Sequence, residues 1–192
     1  MNVALPKLWT VEDFFSWAET KEERYEFDGF QPVAMVGGNA THNRITTNIH
    51  AALRFRLRGT NCSFYGPDLG VQTIGAAVRY PDALITCTKF PGTDRLAPDV
   101  RVVFEVLSPA SGRSDRIEKV REYAAVPSVR RYVILEAKFA GLLVLHRQRA
   151  DDPWTAQALT GDDVLDLPEI GSQIPVAEFY EDVDFTGATT SE

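Results

Sequence analysis

The feature that most constrains the fold is a pair of apolar runs joined by a helical segment in the middle of the chain. Residues 100–107 are β-type and apolar except for Arg101, near the start of the run, and Glu105 in its middle. After a Ser-Pro-Ala-Ser-Gly break, residues 114–125 follow helical periodicity until Pro127 stops them. Residues 129–135 then form a second buried-strand pattern. Two buried strands joined by a helix predict a parallel pair with a crossover connection.

Apolar periodicity and turn residues predict the remaining elements. In chain order they are a helix over 9–19, a hairpin of 24–27 and 31–36, a helix over 41–58, two short strands within 62–74, a strand over 79–86, a hairpin of 142–146 and 154–159, and a closing segment over 162–179. Thr10 and Asp13 are the expected capping pair of the first helix. We expect an α/β (α+β) fold with a mixed central β-sheet flanked by helices and extra β-hairpins.

Length and composition favour one ordinary globular domain. The chain has 192 residues, of which 44% are hydrophobic and 24% charged, so we expect a single domain over 1–185 and a disordered tail over 186–192. Cys62 and Cys87 are too few for a disulfide framework and lack metal-site spacing. With no apolar leader and no membrane-spanning run, a cytoplasmic protein without membrane contact is expected.

Charge gives a mixed indication about nucleic-acid binding. The net charge of -7 counts against broad affinity for nucleic acid, which depends on neutralising phosphates. The predicted helix over 41–58 nevertheless carries Arg44, Arg54, Arg56 and Arg58. A solvated surface is the simpler interpretation of these arginines, and phosphate contact stays open because a local basic strip can exist on an acidic protein.

Two carboxylates lie in strand patterns where buried strands rarely carry charge. Asp82 follows Pro81 in one apolar segment, and Glu105 interrupts the next. If they meet across adjacent strands, they would repel each other unless a cation or hydrogen bonds compensate. Hard oxygen ligands suit Mg²⁺ or Mn²⁺, and a nearby ammonium such as Lys119 would serve phosphodiester hydrolysis. The hypothesis is a metal site with Asp82 and Glu105 as ligands, and with Lys119 as the ammonium that orients the attacking water or stabilises charge developing on the phosphate.

Each of these residues also has an ordinary structural interpretation. Asp82 could simply begin a strand, and Lys119 could pair with Asp115 four residues earlier on a helix. Glu26 could be a solvated charge on an edge hairpin, and His42 could be structural or exposed. Glu136 and Lys138 form a literal acid-x-Lys pattern, which ranks below Glu105 because strand ends often carry solvated charges. Zinc ligand spacing and common nucleotide-binding or hydrolase motifs are absent from the sequence.

Five short motifs in order resemble the Uma2 family, also called DUF820. They are Arg24-Tyr-Glu-Phe-Asp-Gly29, Thr41-His-Asn-Arg-Ile45, Tyr80-Pro-Asp82, Glu105-Val-Leu-Ser-Pro109 and Asp115-Arg-Ile-Glu-Lys119. The resemblance covers about residues 9–182 and implies a fold similar to restriction endonucleases of the PD-(D/E)xK class. It places the metal acids of that class on Asp82 and Glu105. The usual lysine two positions after the second acid is absent, because residue 107 is Leu, and the resemblance suggests that Lys119 replaces it.

The sequence therefore predicts a cytoplasmic, Mg²⁺-dependent (or Mn²⁺-dependent) nuclease of the Uma2 family. Asp82, Glu105 and Lys119 are its expected catalytic residues, and Glu26, His42, Asp115 and Glu136 are candidates for the border of the site. Nucleic acid, with DNA foremost, is the expected partner, and a homodimer is expected by analogy with enzymes that cut two strands. The alternative is a catalytically inactive module for protein interaction or nucleic-acid binding, for which the displaced lysine and the acidic charge argue.

Overall fold

The predicted strand-helix-strand unit is present. The computed structural model describes residues 8–107 and 113–185, and the side chains of 113–116 are outside that description, as is the predicted tail over 186–192. Strand β7 (Val100–Val106) is followed by helix α3 (Arg113–Ala124) and strand β8 (Arg131–Leu135). Strands β7 and β8 pair in parallel, so the helix is a crossover connection as expected.

The other elements follow the predicted order closely. The remaining helices are α1 (Val11–Ala18), α2 (Ala40–Arg56) and α4 (Val176–Phe179), with a 3-10 turn at Pro168–Ile170. The remaining strands are β1 (Tyr25–Phe27), β2 (Pro32–Ala34), β3 (Ser63–Tyr65), β4 (Val71–Gln72), β5 (Val78–Arg79), β6 (Ala83–Thr86), β9 (Gly141–His146), β10 (Thr155–Thr160), β11 (Val164–Leu167) and β12 (Ser172–Pro175). The capping pair is confirmed, since Thr10 and Asp13 each accept the other's backbone N–H at the start of α1.

A six-stranded mixed sheet forms the centre of the molecule. Its strand order is β10-β9-β8-β7-β6-β3, and every neighbouring pair except β7 and β8 is antiparallel. All five residues of β8 are buried, because helices cover both faces of the central strands. Strand β3 is an edge strand of this sheet.

Two helices cover opposite faces of this sheet. On one face, Ile45 and Leu53 of α2 belong to the same apolar cluster as Phe104. On the other, Tyr123 of α3 packs in a second cluster with Tyr132. Apolar periodicity predicts that both Ile117 and Tyr123 face inward, but this is wrong for Ile117, which is 53% exposed. Ile117 precedes Tyr123 by six residues, about 240° around a helix, so the two cannot both face the sheet.

The segment predicted as one strand over 79–86 divides between two sheets. Strand β5 joins a four-stranded sheet of order β2-β1-β5-β4, whereas β6 joins the central sheet. Pro81 lies at the break and cannot donate a ladder hydrogen bond. Asp82 consequently precedes β6 instead of lying inside a strand, at the point where the chain passes from one sheet to the other.

Two further expectations need correction or refinement. The closing segment over 162–179 forms the β11-β12 hairpin and the short helix α4, which the apolar spacing alone did not resolve. Cys62 and Cys87 form a disulfide, contrary to the inference from cysteine number and spacing. The register explains this pairing, because Ser63 faces Thr86 in the antiparallel β3-β6 pair and the two cysteines extend it by one position.

Across residues 8–107 and 113–185, none of the helices combines the length and the apolar character that a membrane span requires.

Candidate functional site

Asp82 and Glu105 face each other at one end of the β6-β7 pair. Ala83 is opposite Phe104 in this antiparallel pair. Asp82, one residue before Ala83, therefore lies opposite Glu105, one residue after Phe104. Oδ2 of Asp82 accepts a hydrogen bond from the backbone N–H of Val106 at 2.7 Å. Nε2 of His50 lies 2.8 Å from the backbone oxygen of Asp82. Both the side chain and the backbone of Asp82 are therefore fixed by neighbouring elements.

Helix α3 supplies two side chains that contact Glu105. The ammonium of Lys119 lies 3.3 Å from Oε1 and 3.4 Å from Oε2 of Glu105. The hydroxyl of Tyr123 donates a hydrogen bond to Oε1 at 3.1 Å. Lys119 and Tyr123 are four residues apart and thus share one face of α3, which is why both reach the same carboxylate.

A buried ionic network extends the site towards the smaller sheet. Glu26 of β1 lies 3.9 Å from the ammonium of Lys119 and is held by Arg79 at 3.0 Å. The same guanidinium makes two hydrogen bonds, of 2.6 and 2.7 Å, to the carboxylate of Glu122 on α3. Glu26 is only 8% exposed, so its interpretation as a solvated edge charge is wrong.

His42 reaches the site from the first turn of α2. Its Nε2 lies 3.3 Å from Oδ2 of Asp82, with the helix start capped by the side chain of Asn39. The hydrogen bond to Asp82 raises the pKa of His42 above its usual value, and burial acts in the opposite direction. A positively charged imidazole is favoured beside this carboxylate.

The site holds more negative charge than its cations offset. The pKa of Glu105 is raised to about 7, mainly by burial and also by the charges of Asp82 and Glu26. Lys119 and the hydroxyl of Tyr123 act in the opposite direction, without restoring the ordinary pKa of a carboxyl group. An additional cation at this point would favour the ionised form of Glu105.

The donor set suits a magnesium-type ion. Asp82 and Glu105 offer hard carboxylate oxygens, and Mg²⁺ typically takes one or two carboxylates together with waters and substrate phosphate. Within the described ranges no cluster of three or more His, Cys, Asp or Glu side chains could hold a metal by itself. The residues present therefore fit an ion whose coordination is completed from outside the protein, and they do not fit a closed structural metal site.

The other border candidates differ in their placement. Asp115 lies in the early part of α3, and its side chain is outside the described structure. Glu136 follows β8, and its charge contributes, after burial, to raising the pKa of Tyr180.

Sequence reasoning did not identify three side chains that support the site. Arg79, Glu122 and Tyr123 are all buried, and each contacts a carboxylate or guanidinium of the network. Arg79 directly precedes the Tyr80-Pro-Asp82 motif, and Tyr123 is four residues from Lys119. Helical spacing could have linked the tyrosine to the lysine, whereas the pairing of Arg79 with Glu122 joins residues that are distant along the chain.

Comparison with known proteins identifies the family and the fold of this chain. The model of the Uma2 family, described as "Putative restriction endonuclease", matches residues 11–177. Two proteins of Synechocystis sp. (strain PCC 6803) are similar: uncharacterized protein slr1290 is 28% identical and uncharacterized protein sll1609 is 23% identical. The alignments cover 96% and 85% of this chain and 97% and 94% of those proteins. A crystal structure of a putative nuclease belonging to DUF820 from Anabaena variabilis has the same fold, with a TM-score of 0.71, 13% identity and coverage of 90% of this chain and 98% of that one.

Proposed function

The chain belongs to the Uma2 family of putative restriction endonucleases, and from this premise we propose that it is a Mg²⁺-dependent nuclease that hydrolyses phosphodiester bonds in nucleic acid, with DNA foremost. The observation that carries the proposal is the position of Lys119, 3.3 Å from a carboxylate that lies opposite Asp82. Two acids and a lysine at one point are the groups that metal-assisted phosphodiester cleavage needs.

In this proposal Asp82 and Glu105 hold Mg²⁺ or Mn²⁺. The bound ion would polarise the scissile phosphate and lower the pKa of a water molecule. The protein's own groups hold the two acids in place: the N–H of Val106 and the imidazole of His42 fix Asp82, and the hydroxyl of Tyr123 fixes Glu105. These contacts define the direction in which each carboxylate presents its remaining lone pairs.

Lys119 is the proposed catalytic cation. Its ammonium can donate a hydrogen bond to the attacking water or to a phosphate oxygen on which charge develops. Leu107 occupies the position two residues after Glu105 and cannot take this role. Glu26, at 3.9 Å, helps to hold the ammonium of Lys119 at the site, and Arg79 in turn keeps Glu26 in place.

A specific observation also favours a second candidate, the inactive module. Lys119 and Tyr123 already engage Glu105. A site closed in this manner would be stable without a metal and could have lost cleavage while keeping the fold. Metal binding at Asp82 and Glu105 distinguishes the two candidates.

Thermal unfolding with and without millimolar Mn²⁺ tests the proposal. A ligand present at ~100 times its dissociation constant adds about 2.7 kcal/mol to stability, which is visible as a higher melting temperature. Mn²⁺ should stabilise the wild type and the control Asp162→Asn, whose carboxylate is exposed, and it should not stabilise Asp82→Asn. Absence of the response in the wild type, measured also with a phosphodiester oligonucleotide present, would favour the inactive module.

Three further proposals concern the domain, the location and the oligomeric state of the protein. We keep a single domain over residues 1–185, a cytoplasmic location and a homodimer as proposals. The hairpin of β1 and β2 leaves Phe30 and Val36 at 76% and 82% exposure, which gives a second copy an apolar surface to contact. Light scattering of the purified protein measures the dimer directly, and a monomeric mass at micromolar concentration would reject it.

A further inference from the structure

We propose that the exposed face of α2, together with the cleft beside its C-terminal end, binds the phosphate backbone of a nucleic-acid strand and leads it to the site of Asp82 and Glu105. We call this surface the α2 strip; its residues are Arg44, Thr47, Ala51, Arg54, Phe55 and Arg58. The part of this inference that leads the strand to a cleavage site rests on the proposed function. The binding itself does not require catalysis.

The α2 strip is a continuous exposed surface. Each of its residues lies three or four positions from another member, which is the spacing of one face of a helix, and all six are exposed. Arg58 lies in the turn directly after α2, which ends at Arg56. The opposite face, with Ile45, Ile49 and Leu53, is buried against the central sheet. Arg44 and Arg54 lie ~15 Å apart along the helix axis, and this distance corresponds to about four nucleotides at ~3.4 Å each.

The charge of α2 differs in sign from that of the whole protein. Helix α2 contains three arginines and no acidic residue, whereas the chain carries a net charge of -7. Arginines near the C-terminal end of a helix complement its macrodipole, but Arg44 lies near the positive end and gains nothing from it. The helix macrodipole therefore does not explain why Arg44 lies on the strip, whereas binding of an anionic partner explains all of its arginines.

One arginine of the helix serves as an internal comparison. Arg56 is turned towards the protein, where it bonds Glu178 at 2.7 Å and the backbone oxygen of Gln173 at 3.0 Å. In the part of the chain that the structure describes, Arg44, Arg54 and Arg58 have no such ion pair or hydrogen bond. The structural arginine is satisfied within the fold, and the three arginines of the strip are available to phosphates.

A cleft of about 380 Å³ continues the strip. Arg54 and Arg58 line one side of it, and Thr60, Ser63 and Tyr65 belong to the side formed by the edge strand β3 and the turn before it. Hydroxyl groups and guanidinium groups are the usual donors to phosphate oxygens. Phe55, 72% exposed on the strip, offers a ring on which an unpaired base can stack.

Both walls of the cleft lead to the candidate site. Helix α2 carries His42 to Asp82 at its first turn. Strand β3 runs antiparallel to β6, from Ser63 opposite Thr86 to Tyr65 opposite Leu84, so its C-terminal end points towards Asp82. Phe64 of this strand packs against His50, which contacts the backbone oxygen of Asp82. A strand held along the strip would thus reach the two carboxylates at one end.

Fluorescence anisotropy with labelled 20-nucleotide probes tests the inference. The probes are a mixed-sequence single-stranded DNA, its duplex and the matching RNA, each titrated in EDTA so that neither metal binding nor cleavage contributes. The triple variant Arg44→Ala/Arg54→Ala/Arg58→Ala is compared with Lys21→Ala/Lys89→Ala/Arg121→Ala, which removes the same charge from exposed positions elsewhere.

We expect the strip variant to bind at least one probe tenfold or more weakly than the wild type, and the control to change little. The dependence of log affinity on log salt should also become shallower by about 2, since each phosphate contact contributes ~0.7 to 0.9. Equal losses in the two triple variants, or no binding of any probe by the wild type, would overturn the inference.

The two proposals can fail separately. Strip-dependent binding without Mn²⁺ stabilisation or cleavage supports the α2 strip and rejects the nuclease. Cleavage that depends on Asp82 but not on the three arginines supports the nuclease and rejects the strip. The Mn²⁺ thermal shift of the strip variant should equal that of the wild type, which shows that its fold and metal site are intact.

Discussion

The ammonium of Lys119 and the carboxylate of Glu105 lie 3.3 Å apart although they belong to α3 and β7, two elements on different layers of the fold. The crossover connection after β7 returns α3 over the sheet and brings its lysine above the strand it has just left. A lysine two residues after Glu105 would point to the same face of β7 as the acid itself. In this chain helix α3 supplies the lysine instead, so β7 needs no lysine of its own.

Substitution of Lys119 by Met should separate metal binding from cleavage. Lys119 is the main group that lowers the pKa of Glu105, so its loss should raise that pKa further. We expect cleavage to fall by at least 10²-fold, while Mn²⁺ still stabilises the variant. Activity assays and thermal shifts measure the two effects. Lys138→Met, which removes an exposed lysine, is the matched control, and an active Lys119→Met variant would remove the proposed role.

The Glu105 carboxyl should make the metal-free protein less stable as the pH rises. Its pKa is raised from 4.5 in the unfolded chain to about 7 in the folded protein. The folded state therefore binds the proton more tightly, and stability should fall between about pH 4.5 and pH 7. Glu105→Gln lacks this titration. We expect the variant to exceed the wild type by about 1–3 kcal/mol at pH 8 and by much less at pH 5, as measured by denaturant unfolding in EDTA.

His42 contributes to the same pH range and needs its own variant. Its pKa is raised above 6.5 by Asp82, so the stability from the charged pair is fully present below pH 6.5 and is lost as the pH rises through the folded value. His42→Gln should lower stability below pH 6, where the charged pair contributes fully, and should approach the wild type at higher pH, where that contribution is lost. A Glu105→Gln curve that parallels the wild-type curve from pH 5 to 8 would contradict the account of Glu105.

Arg79→Met should be among the most destabilising substitutions at the site. The guanidinium is buried and pairs with both Glu26 and Glu122, so its removal leaves two buried carboxylates without their cation. Breaking a buried pair in this way costs about 3–5 kcal/mol. Urea unfolding measures the loss. Arg149→Met, which removes an exposed pair with Asp152, should change little, and a similar small change for Arg79→Met would show that the network is dispensable.

The fold was largely predictable because its pattern is local. Periodicity gave α1, α2, α3 and the parallel β7-β8 pair within a few residues, since each element buries one continuous face. The break between β5 and β6 was missed because Arg79 and Asp82 lie in one apolar run but bond to different sheets. Only pairing between strands that are distant in sequence decides this, and a single sequence does not contain it directly.

The candidate site divides in the same way. Asp82 and Glu105 were identifiable from the sequence because each is a charged residue in or beside an apolar strand pattern. Lys119 was identifiable from its place in the helical segment that follows Glu105. Arg79 and Glu122 are 43 residues apart, and nothing in the spacing of an arginine in a strand and a glutamate in a helix identifies them as partners. Charge pairs of this kind depend on tertiary packing, so their discovery required the structure.

The disulfide between Cys62 and Cys87 should contribute measurably to stability and should distinguish an oxidised from a reduced protein. It closes a loop of 25 residues, and chain-entropy estimates give about 3 kcal/mol for such a loop. A reductant should lower the melting temperature of the wild type and have no effect on Cys62→Ser/Cys87→Ser. The bond fastens the edge strand β3 to β6, so reduction should loosen the cleft wall that β3 forms beside the α2 strip. The bond would be rejected if protein purified without reductant contained two titratable thiols and did not respond to reductant. That result would agree with the proposed cytoplasmic location, because reducing compartments keep cysteines as thiols.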